Sequence, residues 1–218
     1  MGVGASDQSG AGGTDSRPLA GLLLVYGLFW LWLAFDPVDR QDWFLENLLV
    51  LALVSVLVLT RRRFSFSLAS YCLIFSFLIL HAIGAHYTYA EVPFGFWLKD
   101  TWALSRNPFD RLVHFAYGAL LAYPIREVLM RLAGVRGLWS YYLSISAVLA
   151  QSGLFEVIEA FVAVMVSPEL GNLYLGTQGD DWDAQKDMAA AFAGSVLTMA
   201  VTLGLSIRKP LGLGRSVR

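Results

Sequence analysis

The sequence predicts an all-α, polytopic membrane protein built as a bundle of six transmembrane helices. Three observations carry that prediction. The 218 residues are 56% hydrophobic and only 15% charged, whereas a soluble domain carries about 25% charged residues. Six apolar segments follow one another, each of a length to cross a hydrocarbon core of about 30 Å at about 1.5 Å per residue. The net charge of −1 offers no basic face, so no nucleic-acid partner is expected and membrane lipid is.

Residues 1–17 are rich in Gly, Ser and Ala and read as a disordered tail. They lack the basic start of a secretory signal, and no small-residue cleavage site follows the first apolar run, so that run is expected to be retained. It covers 19–35, a short span, and carries Trp30, Trp32 and Phe35 toward an interfacial end. The second span is expected at 44–60, the third at 66–88 and the fourth at 109–130. The fifth, 138–166, is long enough to tilt or to project from the bilayer. The sixth is 187–207, and 209–218 form a basic tail. Cys72 is the single cysteine, so neither an intrachain disulfide nor a thiolate metal site is available.

Lys and Arg bias sets the orientation. One side holds Arg17, Arg61, Arg62, Arg63, Arg126, Arg131, Arg136, Arg208, Lys209, Arg215 and Arg218; the other holds only Arg40, Lys99, Arg106, Arg111 and Lys186. Both termini are therefore expected in the cytoplasm. The acids divide the other way: all but Asp7, Asp15 and Glu127 fall outside or in the outer leaflet. Acids weigh little in the topology rule, so this skew calls for a separate cause, and a polar site at the outer face would supply one.

Depth accounting locates such a site. His81 and His86 lie near the outer end of the third span, Asp110 and His114 at the outer start of the fourth, and Glu156 and Glu159 in the outer half of the fifth. Asp180, Asp183 and Asp187 stand at the start of the sixth. Asp110 and His114 are spaced i,i+4, and Tyr117 continues their face. Ser152, Glu156 and Glu159 share a face, as do the three aspartates if their helix begins near Asp180. An ionised side chain at a helix centre in lipid costs about 2.5–3.5 kcal/mol, so these stripes are expected to face the bundle interior and to pair. Two glutamates one turn apart need a cation, a shared proton or a basic partner.

The chemistry open to this layer is a metal site, a proton relay or a structural network. The expected metal ligands are His81, His114, Glu156, Glu159, Asp180, Asp183 and Asp187, for a divalent ion with zinc the first choice. Glu156 and Glu159 are the expected catalytic pair, with Glu159 favoured as general base toward a metal-bound water. His86, Asp110, Tyr117 and Gln178 are expected behind them as supporting groups. Plainer roles stand beside these. Acids at a helix start complement its dipole, Gly176 and Gly179 suit a turn, and Arg126, Glu127 and Arg131 read as a cytoplasmic anchor.

The favoured function is a metal-dependent hydrolase or transferase acting on a lipid, lipid-linked or other small-molecule substrate. The alternative is a transporter or channel for a metal ion, a cation or a proton-coupled solute. It requires a polar path to the cytoplasm, where Glu127 is the lone acid or histidine inside a span. A non-catalytic membrane scaffold is the third reading.

The runs Asp110-Arg-Leu-Val-His-Phe-Ala-Tyr-Gly118, Tyr123-Pro-Ile-Arg-Glu127, Phe155-Glu-Val-Ile-Glu159 and Gly176-Thr-Gln-Gly-Asp-Asp-Trp-Asp-Ala-Gln-Lys-Asp187 resemble the bacterial inner-membrane YjdF-like family. His81-Ala-Ile-Gly-Ala-His-Tyr-Thr-Tyr89 with Pro93 fits the same pattern, and the likeness covers residues 19–207. A fainter likeness extends to VanZ-like proteins, a group tied to glycopeptide resistance, which also place a His near one helix start, a Glu in a later span and an Asp before the last. The resemblance implies a multi-pass inner-membrane protein whose polar residues act as a set. It implies no substrate.

Overall fold

The computed structural model describes residues 17–208. Within them the chain forms eight helices and no strand: α1 (Arg17–Leu33), α2 (Arg40–Thr60), α3 (Leu68–His86), α4 (Pro93–Thr101), α5 (Phe109–Arg131), α6 (Leu138–Met165), α7 (Pro168–Leu175) and α8 (Asp183–Arg208). The expected tail at 209–218 lies outside the described residues, as does the tail at 1–17 except for Arg17, which already belongs to α1.

Four helices, α2, α3, α6 and α8, are long and apolar enough to cross a membrane. The other two expected spans differ from them in opposite ways. The apolar part of α1, Leu19–Leu33, is short. At 23 residues α5 is long enough, about 35 Å, but it carries Asp110, Arg111, His114, Arg126, Glu127 and Arg131. Its place in the bundle explains that polarity: α5 packs against α3, α6 and α8 and is shielded by them.

Helix starts follow the capping chemistry rather than the first apolar residue. Asp39 accepts hydrogen bonds from the amides of Gln41 (2.8 Å) and Asp42 (2.9 Å), which starts α2 at Arg40 instead of 44. Asp42 and Glu46 thereby fall inside the helix and are buried. The last helix starts at Asp183, one turn before the expected 187, and Asp180 stays in the preceding turn. The short helices α4 and α7 were not among the expected elements. Each opens on a proline, a residue whose missing N–H costs nothing in a first helical turn. At the other end of α7, Gly176 adopts a left-handed conformation (φ 58°) that closes the helix.

The closest packing joins α5 to α8. A Cβ on Gly118 would overlap the Ala191 carbonyl, and one on Gly194 would overlap the Phe115 carbonyl. The backbones therefore meet directly, in the manner of small-residue contacts between membrane helices, and Thr198 Oγ1 donates to the Ala119 carbonyl at 2.6 Å. Gly194→Leu is expected to destabilise the protein by about 1–3 kcal/mol or more through overpacking. Thermal unfolding in detergent reads this, and an unchanged midpoint would mean that α5 and α8 stand further apart.

Five helices form a ring that matters for the site. α2 packs on α3, α3 on α5, α5 on α6, α6 on α7, and α7 returns to α2. At the end where α5 and α8 begin, α7 closes this ring. Further along, α2 has no extended packing with α6.

At the opposite end Glu127 is more than an anchor. Its carboxylate accepts from the Ser67 amide (2.9 Å), Ser67 Oγ (2.8 Å), Ser70 Oγ (2.5 Å) and Arg131 Nη1 (2.5 Å). It caps the start of α3 from another helix, where a negative charge also complements the dipole. Glu127→Ala is expected to cost about 1–3 kcal/mol, because Ser67 and Ser70 lose their charged acceptor. Denaturant unfolding checks this, with Glu127→Gln recovering part of the loss.

Candidate functional site

Two loops clamp the polar end of the bundle together. Buried Asn107 donates through Nδ2 to the carbonyls of Ala90 (2.8 Å) and Val92 (3.1 Å), and its Oδ1 accepts from the Phe109 amide (3.0 Å). Its own amide donates to Gln178 Oε1 (2.9 Å), and its carbonyl accepts from Gln178 Nε2 (3.1 Å). The Gln178 side chain thus pairs with a backbone peptide as a second strand would, fixing the loop before α8 against the start of α5. Its expected supporting role is structural in this sense.

The clamp delivers two arginines to the aspartates of the α8 start. Arg106 Nη1 donates to Asp183 Oδ1 and to the Thr177 carbonyl at 3.0 Å. Arg111 donates from Nη2 to Asp183 Oδ1 (2.7 Å) and Asp180 Oδ2 (3.4 Å), and from Nε to Asp187 Oδ1 (3.2 Å). Asp180 also takes both bonds of the Lys186 ammonium, at 2.7 and 2.8 Å. Asp180 and Asp183 are therefore held by basic side chains, an outer wall of the layer.

Lys186, then the Trp182 amide, hold the Asp180 carboxyl down from an ordinary 3.8 to about 2. A depressed carboxylate contributes stability that is complete above pH 3.8 and is lost as pH falls through about 2. Lys186→Met is expected to flatten the acid limb of stability in that window. Acid unfolding of both proteins between pH 5 and 2 checks it; identical limbs would contradict the pairing.

The inner part of the layer centres on His114. Its Nε2 is 3.6 Å from Asp110 Oδ1 and its Nδ1 is 3.7 Å from Glu156 Oε1, both longer than a hydrogen bond. Asp110, His114 and Asp187 each offer one ligand atom, and the three atoms lie within 4.8 Å of one another. Asp187 is 2% exposed. Glu156 Oε1 is buried without a hydrogen-bond partner. Four carboxylates in this layer, Asp110, Asp180, Asp183 and Asp187, face Arg106, Arg111 and Lys186, and Glu156 faces His114, so the acids outnumber the arginines and the lysine.

Glu159 lies three residues along α6 from Glu156. Glu46 and Asp42 extend the layer onto α2, at 4% and 1% exposure, each with one unpaired buried oxygen. Tyr174 on α7 marks the meeting point: burial, then the charges of Glu46, Glu159 and Asp42, push its hydroxyl above the usual phenol range.

The remaining expected residues occupy other positions. His81 Nε2 faces the Glu46 carbonyl at 3.1 Å and must donate to it, so Nδ1 accepts the Tyr89 hydroxyl at 2.5 Å. Both nitrogens are spent, and His81 has no lone pair for a metal in this arrangement. His86 Nδ1 donates to the Leu33 carbonyl at 2.7 Å, tying α3 to the end of α1. Tyr117 donates to Gln151 Oε1 at 2.5 Å, a bridge from α5 to α6. Asp110, expected as a supporting group, lies in the compact set with His114 and Asp187.

Sequence reasoning missed Arg106, Arg111, Asn107, Tyr89, Asp42 and Glu46. Arg106 and Asp110 are spaced i,i+4, as are Asp42 and Glu46, and that spacing was the available signal. Nothing local marks Arg111 as the partner of residues more than 65 positions away.

A helical bundle with four helices long and apolar enough to cross a membrane, and its buried acids gathered at one end, defines a multi-pass membrane protein. The chain belongs to the family described as "Predicted membrane protein (DUF2238)", which it matches over residues 18–208. It is 37% identical over 177 residues to the "Inner membrane protein YjdF" of Escherichia coli (strain K12), covering 81% of this chain and 84% of that one. These matches support the YjdF-like resemblance and do not extend to VanZ-like proteins. No solved structure matches the chain.

Proposed function

We propose that the protein is a bacterial inner-membrane enzyme, a metal-dependent hydrolase or transferase acting on a lipid or lipid-linked substrate. The observation that carries this reading is the compact donor set Asp110, His114 and Asp187, with the unpaired Glu156 oxygen on the far side of the imidazole. Two carboxylates and one imidazole from facing helices suit zinc or another divalent ion. The excess of acid over base in the layer is the charge that a dication offsets. Arg111 holds Asp187 in place, and Asp110 and Glu156 bracket His114. A bound ion would supply Lewis acidity toward a carbonyl or phosphoryl oxygen. Glu156 faces His114 Nδ1 and would fix the imidazole for an ion on its other nitrogen, and Glu159 is the proposed group to take a proton from an attacking water or hydroxyl.

In the membrane we read α1 and α5 as crossings beside α2, α3, α6 and α8. That makes six spans with both termini cytoplasmic and the polar layer in the outer leaflet, as the Lys and Arg bias supports. Inner-membrane placement follows the name of the Escherichia coli relative.

Purified protein in vesicles separates this from transport. The enzyme reading expects release of product from a lipid substrate that stops with chelator and with Glu156→Gln. Zinc or proton flux across the vesicles, blocked by the same variant and without lipid turnover, would favour a transporter instead.

A further inference from the structure

Directly next to the polar layer lies a cavity of about 300 Å³, within the range of small-molecule sites. His81, Tyr89 and His114 form one end of it, and no Asp, Glu, Lys or Arg lines it. From His114 it follows α5 to Leu121, about 10 Å along the axis. Its floor is buried, with Leu78 at 1% and Val113 at 4% exposure. Its rim is open, with Leu49 at 45% and Leu154 at 59%.

The mouth has a direction. α7 closes the helix ring at the polar end, whereas α2 and α6 lack extended packing further along. Leu49 on α2 and Leu154 on α6 line the gap between them. Both are spanning helices, so the gap faces sideways into the bilayer. Exposed Val157 and Phe161 continue the apolar surface away from it along α6.

We infer that this crevice is a lateral portal that takes one hydrocarbon chain of a membrane amphiphile and sets its polar head against the His114 end. An apolar lining open to lipid excludes ions and water, whose hydration it cannot replace. A helix of a second protein is about 10–12 Å across with its side chains, too thick for a cavity of this volume. A single acyl or prenyl chain fits both the volume and the lining. Ser152 Oγ, buried beside the cavity without a partner, offers a further donor one turn along α6 from Glu156. The inference rests on the proposed site for what happens to the head; entry of the chain needs no metal.

The test uses the full chain in phosphatidylethanolamine–phosphatidylglycerol vesicles doped with a phospholipid bearing a diazirine in one acyl chain, with chelator present throughout. After irradiation, crosslinks are mapped by peptide mass spectrometry. Labels are expected on Phe77 and Leu121 inside the crevice as well as on the outward-facing Leu24 and Leu59. Leu154→Trp, a change at an exposed rim that leaves the core alone, is expected to remove the interior labels and keep the outer ones. Leu121→Trp fills the crevice itself and gives the same loss. Labels confined to Leu24 and Leu59, interior labels that survive both variants, or chain-to-chain crosslinks across the mouth would each overturn the portal. Because chelator is present, loss of the metal reading leaves these outcomes unchanged.

Discussion

His114→Ala is expected to raise the zinc dissociation constant by more than about 100-fold, beyond the 10–100-fold that outer groups of a metal site command. The reason is positional. His114 is the one nitrogen donor in a set whose ligand atoms lie within 4.8 Å, and its other side faces Glu156 at 3.7 Å. The control is His81→Ala. Both His81 nitrogens are already engaged, by the Glu46 carbonyl and the Tyr89 hydroxyl, so its loss is expected to leave zinc affinity essentially unchanged. Competition with a chelator of known affinity measures both. Equal effects of the two substitutions would move the binding site away from His114.

Arg106→Ala is expected to destabilise the protein by about 1.5–3 kcal/mol, because buried Asp183 loses one of its two charged donors and keeps only Arg111. Asp183, at 5% exposure, receives hydrogen bonds from both arginines. Arg106 is the more enclosed of the two, its side chain 10% exposed against 31% for Arg111. The Thr177 carbonyl loses a donor as well. Adding Asp183→Asn should return part of the loss, since the charge that Arg106 had helped to offset is then gone. Unfolding of the single and double variants in detergent gives the coupling; strict additivity would deny the pairing.

The four long apolar helices were legible in the chain from hydropathy, and the polar stripes of α5 and α6 from residues spaced three and four apart. Asp110, His114 and Glu156 could be assigned to one layer from depth alone, and the bundle does bring them together. The arginine clamp was not legible. Arg106 and Asp183 are 77 residues apart, and they meet only because Asn107 and Gln178 pair two loops. Arg106 and Arg111 looked like membrane-flanking charges for that reason. Asp42 and Glu46 were hidden differently. The apolar run suggests a start at 44, but the Asp39 cap starts α2 at Arg40 and carries both acids into the interior. The α7 roof was obscured because the apolar run of α6 leads straight into it. Ser167, which caps α7 by accepting from the Leu170 amide, is what separates them.

The acid-rich layer around His114 is proposed to hold a divalent ion. Elemental analysis of the native protein, purified without chelator and without added metal, tests it most directly. The account predicts a stoichiometric divalent metal that is absent from His114→Ala and Asp187→Asn preparations of equal fold and purity. Native protein free of bound metal, and unable to take up zinc when it is supplied, would contradict it.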